Sequence, residues 1–240
     1  MFAAQALSPG DSVVASTVSN HICPLCGSAD TRWLCRDRWR DYFRCLACEL
    51  VSVPATQFLS ADDEKARYDL HRNNPDDPGY RAFLSRLLNP MLERLPPGSH
   101  GLDFGSGPGP TLSLMFAEAG HTMAIYDPFY APDASVLERQ YDFVTASEVV
   151  EHLRLPRQVL DRLWACVKPG GSLGLMTSFV PDGVFRPDWR YARDLTHVCF
   201  YSRATFAWLA AQWQAELDIR GTDVILLHKP QAGVRVAENG

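Results

Sequence analysis

The stretch Leu102-Asp103-Phe104-Gly105-Ser106-Gly107-Pro108-Gly109-Pro110 decides the fold. Gly101–Phe104 reads as a buried strand that stops at a glycine turn. Thr111–Ala119 reads as a helix ended by Gly120, and Thr122–Tyr126 as the next strand. Asp127 closes that strand.

The same alternation continues outward. Tyr141–Ala146 reads as a strand and Pro156–Val167 as a helix, closed by Lys168-Pro169-Gly170-Gly171. Ser172–Thr177 follows as a strand and Arg203–Gln214 as a helix. Leu217–Arg220 and Asp223–His228 would form a closing hairpin around Gly221. Strands alternating with helices imply an α/β fold, Rossmann-like, with a mostly parallel sheet. Upstream, Ser60 is placed to cap a helix through Ala61–His71. Past the turn-rich run Asn73–Gly79, apolar residues from Phe83 to Leu95 repeat at helical spacing, with Pro90 expected to kink or divide that helix.

Glycines at Gly105, Gly107 and Gly109 let the backbone turn sharply and approach a ligand. The dinucleotide pattern GxGxxG would need its third glycine at Pro110, so a nicotinamide oxidoreductase is the weaker reading. The spacing here is DxGxGxG, which resembles motif I of class I S-adenosylmethionine-dependent methyltransferases. That resemblance implies S-adenosylmethionine as cofactor, with Asp103, Phe104, Gly105, Ser106, Gly107, Gly109 and Ser147 around it and Asp127 on the ribose hydroxyls. Only Pro128 to Gln140 separates the second strand from Tyr141, so the usual third strand is expected to be missing or shortened.

Beyond the Tyr141 strand stand Glu148, Glu151 and His152. One helical turn would put all three on one side. Two close carboxylates repel unless a cation neutralises them, and such a donor set suits Mg²⁺ or a softer divalent ion. The segment is similar to that of ubiquinone-biosynthesis O-methyltransferases and of small-RNA 2′-O-methyltransferases. Both families carry a later histidine before an aromatic residue, which the resemblance places at His197. Glu148, Glu151, His152 and His197 are thus the candidate catalytic and metal-binding residues. Without a metal, His152 or His197 is the candidate general base.

Cys23, Cys26, Cys45 and Cys48 form two CxxC pairs, a zinc-ribbon signal. Zinc would hold together a module too short to bury its own core. Cys35 is a spare thiol, and Cys166 and Cys199 are expected in the core. Around the ribbon, Arg32, Arg36, Arg38, Arg40 and Arg44 either bind an acidic partner or are solvated.

The 240 residues divide into a disordered leader (1–20), the ribbon (21–54), a helical linker or lid (55–97), the methyltransferase domain (98–230) and a flexible tail (231–240). Tyr68, His71, Arg72, Asn73 and Tyr80 are candidate lid residues, while Trp189, Tyr191, Phe200 and Tyr201 either shape an acceptor pocket or pack. Trp208 and Trp213 are expected to be structural. Net charge is −5, which disfavours nucleic acid as partner and leaves a small-molecule acceptor favoured. An RNA methyltransferase and a non-catalytic cofactor-binding or ribbon adaptor are the other readings. No apolar run reaches the length of a membrane span, no secretory signal is evident, and the cytoplasm is the expected compartment.

Overall fold

The computed structural model describes residues 21–70 and 73–231. The expected leader, His71 and Arg72, and the tail apart from Gln231 lie outside the described residues. From the N-terminal side come β1 (Thr31–Arg36), β2 (Asp41–Cys45) and β3 (Val51–Ser52), then α1 (Ala61–Tyr68) and α2 (Pro78–Leu92). The alternating region holds β4 (His100–Phe104), α3 (Thr111–Glu118), β5 (Thr122–Tyr126), β6 (Tyr141–Ser147), α4 (Pro156–Cys166) and β7 (Val167–Met176). It closes with β8 (Cys199–Phe200), α5 (Arg203–Trp213), β9 (Glu216–Arg220) and β10 (Val224–His228).

The large sheet has the order β5-β4-β6-β7-β10-β9. Its first four strands run parallel, and β10 lies antiparallel between β7 and β9. No strand lies beyond β5 among the described residues, as the short Pro128–Gln140 connection implies. A 3₁₀ turn at Ala134–Glu138, capped by Asp133, fills that connection instead.

Both faces of the sheet are covered. On one, Leu84, Leu87, Leu88 and Met91 of α2 pack with Leu112, Met115 and Phe116 of α3. On the other lie Leu160 and Leu163 of α4 and Phe206 and Leu209 of α5. The indole of Trp213 stacks on Trp164 at 5.0 Å and donates to Asp161. So α2, expected as linker or lid, covers the sheet. It also runs unbroken through Pro90, because only Met91 and Leu92 follow before its end and one lost N–H is tolerable there. The Lys168–Gly171 run, expected as a turn, belongs to β7, with a register irregularity against β6.

The ribbon strands form a second sheet, β1-β2-β3-β8. Its last strand comes from far along the chain: Val51 pairs with Phe200 and Ser52 with Cys199. Cys199 and Cys166 are buried, as expected, and their thiols donate to Leu153 O and Leu137 O.

Candidate active site

A cavity of about 690 Å³ opens at the carboxyl ends of the parallel strands. Asp103, Phe104, Gly105, Ser106, Gly107, Asp127 and Ser147 all line it, and so do Tyr68, Asn73 and Tyr80. Gly105 sits at φ +75°, and a Cβ there would fall 2.4 Å from Val149 Cγ2. Left-handed backbone and crowding therefore both demand glycine. Gly109 is the exception among the expected loop residues. It is not part of the cavity wall, and a Cβ there would lie 2.1 Å from the carbonyl oxygen of Asn73. Its role is to let the segment before α2 cross the loop.

Asp127 is buried and ties two loops together. Its Oδ2 accepts from Gly107 N at 3.0 Å, and its Oδ1 accepts from Phe129 N and Tyr130 N. Asp103 lies under the loop and accepts from Thr145 Oγ1 at 2.8 Å. Burial pushes its carboxyl up to about 7, against the pull of that hydrogen bond and helped by the charge of Asp127.

At the far wall, ligand atoms of Glu151, His152 and His197 lie within 4.8 Å of one another. Glu148 does not join them. It takes a left-handed φ of +52°, and the following residues form a 3₁₀ turn, Val150–His152, rather than the α-helical turn its spacing suggests. It still lines the cavity. Burial raises the carboxyls of both glutamates, and the neighbouring Glu151 lifts Glu148 further. Tyr191 donates to Glu151 Oε1 at 2.5 Å and shares a hydrogen bond with Thr177. Glu151 Oε2 is buried with no partner.

The two imidazoles are fixed by backbone carbonyls. His152 Nδ1 lies 3.2 Å from Thr196 O, and His197 Nδ1 lies 2.7 Å from Tyr191 O. A carbonyl only accepts, so Nδ1 carries the proton and each Nε2 keeps its lone pair. Burial lowers the pKa of both rings, keeping them neutral. A Glu151 carboxylate oxygen within reach of both imidazoles (Oε1 is 3.9 Å from His152 Nε2), each ring oriented through its other nitrogen, is a donor set that fits a divalent cation, and the orphaned Oε2 leaves that carboxylate with unused lone pairs. Phe200 and Tyr201 are fully buried in the core, whereas Trp189 and Tyr191 line the cavity.

Cys23, Cys26, Cys45 and Cys48 form a second donor set, all four sulfurs within 4.8 Å. Cys23 and Cys48 sulfurs are 3.5 Å apart and those of Cys26 and Cys45 3.3 Å, too far for disulfides. Four converging free thiols fit a tetrahedral zinc site. Arg40 of this module is buried against the chain segment bearing His197, which no local pattern of residues marks.

Residues 77–218 match a family described as a methyltransferase domain. Among solved structures, 1,6-didemethyltoxoflavin-N1-methyltransferase of Burkholderia thailandensis, with 1,6-didemethyltoxoflavin and S-adenosylhomocysteine bound, is 17% identical. The alignment covers 83% of this chain and 100% of that one, with a TM-score of 0.52. Phosphoethanolamine N-methyltransferase 2 of Haemonchus contortus is 13% identical over 70% of this chain and 57% of that one, with a TM-score of 0.51. An O-methyltransferase family protein of Burkholderia thailandensis is 18% identical over 71% of this chain, at a TM-score of 0.46, and the match spans 64% of its length. No curated protein matches. The chain belongs to the methyltransferase-domain family and shares the fold of these methyltransferase neighbours of TM-score above 0.5. Among the described residues no helix is long and apolar enough to cross a membrane.

Proposed function

We propose that the cavity binds S-adenosylmethionine along Asp103–Gly107 and Ser147, with Asp127 toward the ribose, and passes its methyl group to an oxygen of a small-molecule acceptor. The supporting observation is that the glycine loop and the Glu151, His152 and His197 donors share one cavity. When bound, the cofactor supplies a methyl group on a cationic sulfur, so the protein's task is to position the acceptor and activate it. Neighbours of the same fold that act on small molecules favour a small acceptor.

The Glu151 carboxylate and the Nε2 atoms of His152 and His197 would hold a divalent cation, with Glu148 on the same cavity wall. Such a cation lowers the pKa of a bound hydroxyl and orients it. Without one, the Nε2 lone pair of His152 or His197 is placed to accept the hydroxyl proton. Tyr191 keeps Glu151 aimed. Cys23, Cys26, Cys45 and Cys48 would hold structural zinc in a ribbon spanning 21–54, ahead of a methyltransferase domain that takes in α2 and runs to 230. Reduced thiols of that kind suit the cytoplasm.

Calorimetry with S-adenosylmethionine, with metal analysis on the same sample, tests cofactor and metals together. Labelled methyl transfer across an acceptor panel then tests the reaction. Glu148→Gln and Glu151→Gln should each abolish transfer while leaving cofactor affinity unchanged. Full activity in both variants refutes the assigned role.

A further inference from the structure

Arg40 lies at the tip of the β1–β2 hairpin, yet it is only 2% exposed. Its Nη1 donates to His197 O at 2.7 Å and to Leu195 O at 3.3 Å. Its Nη2 donates to Ala192 O at 2.5 Å and to the Tyr42 hydroxyl at 2.9 Å. One guanidinium therefore clamps three carbonyls of a single segment. That segment is bounded by Tyr191, which meets Glu151, and by His197. The tip is itself cross-linked by hydrogen bonds to Asp37. Asp37 Oδ1 accepts from the backbone of Trp39 and Arg40, and its Oδ2 accepts from Tyr42 at 2.6 Å.

A second tether runs beside the first. Val53 N donates to Val198 O at 3.0 Å, next to the β3–β8 pairing, and Val198 N donates to Glu151 O at 2.8 Å. Both tethers adjoin strands that flank the cysteine cluster: β2, which follows Arg40, ends at Cys45, and β3, which precedes Val53, begins three residues after Cys48. The His197 ring is oriented by Tyr191 O, within the same clamped segment.

Burying a guanidinium is costly, and the nearest carboxylate, Asp37, stands 3.8 Å from Nε. An apolar side chain could fill the same space without that cost. A planar fork reaches several carbonyls at once, where an ammonium acts as a point charge. The arrangement therefore favours fixed geometry over stability.

We propose that Arg40 is a positioning residue for the reacting end of the cavity: through it the cysteine ribbon sets the backbone from Tyr191 to His197 and so aims His197. This rests on the reading of Glu151, His152 and His197 given above. It makes the ribbon a part of the active-site wall rather than an independent appendage.

The test uses the full-length, zinc-loaded protein with Arg40→Met, Arg40→Lys and Tyr42→Phe. Three quantities are read: Mn²⁺ affinity by electron paramagnetic resonance, S-adenosylmethionine affinity by calorimetry, and amide hydrogen exchange along 189–200. Arg40→Met should weaken Mn²⁺ by about ten- to a hundredfold, as loss of an orienting group around a metal site does. Exchange across 189–200 should rise at least about tenfold while the 103–109 loop stays protected and cofactor affinity holds. Arg40→Lys should recover part of both effects. If the wild type binds no Mn²⁺, the metal reading fails, and the exchange data alone decide the positioning role. If Arg40→Met loses zinc or cofactor binding altogether, Arg40→Lys and Tyr42→Phe decide by the same criteria. Unchanged exchange and unchanged Mn²⁺ affinity in the folded variants overturn the proposal.

Discussion

Asp103→Asn should make the protein more stable at neutral and alkaline pH, and by a calculable amount. The carboxyl is buried under the glycine loop with a single side-chain partner, Thr145 Oγ1. Burial lifts its pKa from the ordinary 3.8 to about 7. The native state thus binds the proton more tightly than the unfolded chain does. Its contribution to stability is fully present below the unfolded pKa, falls as pH rises, and levels off above about 7. At about 1.4 kcal/mol per unit the whole loss is about 4 kcal/mol, of which about 2.5 kcal/mol falls between about pH 5 and pH 8. Asparagine keeps the acceptor for Thr145 and carries no charge, so the variant lacks this component. Urea unfolding of both proteins across that range gives the difference directly. It should grow by about 2.5 kcal/mol in favour of the variant. A difference that stays within about 0.5 kcal/mol would show that Asp103 is hydrated or paired in solution, and the argument from burial would fail.

Gly105→Ala forces a Cβ onto a left-handed backbone against Val149, so cofactor affinity should drop at least about tenfold, at a backbone cost of about 1–2 kcal/mol. Calorimetry reads it, and wild-type affinity in the variant would contradict the loop geometry. Gly109→Ala should instead lower the melting temperature by displacing Asn73, because the position does not line the cavity. A normal melting curve in that variant counts against the crossing described here. Leu87→Ala, at a fully buried position between α2 and the sheet, should cost about 2–5 kcal/mol, measured by denaturant unfolding. Elemental analysis should find one zinc per chain in the wild type and none in Cys48→Ser, while a variant that retains one zinc per chain would refute the four-cysteine site.

Much of the alternating region was legible because its signals are local. The glycine turn after Phe104, the break at Gly120 and the acid at Asp127 each sit where the chain must turn, and β5 was read to the residue. The closing hairpin was readable for the same reason, with Gly221 at φ +61°. Other features depend on distant residues. β8 is two residues long and exists only because β3 lies alongside it. Arg40 stood among five similar arginines, and only tertiary contacts separate it from the exposed Arg38, which stacks on Trp39. Spacing put Glu148 with Glu151 and His152 on one helical face. The left-handed turn at Glu148 breaks that periodicity, so the three donors that converge are Glu151, His152 and His197.

The pairing of β3 with β8 also has a consequence in time. Its two strands are separated by about 150 residues, a contact of high sequence separation whose closure is slow. During synthesis at about 5–20 residues per second, the ribbon waits about 7–30 seconds before its last strand is made. Through that interval the hairpin exposes an open edge at β3, and Arg40 has no carbonyls to meet. The four cysteines must then hold the module together unaided. If they do so around a metal, a cell short of it would accumulate nascent chains with an unpaired edge strand, and metal supply would govern the yield of folded protein before it could affect any reaction.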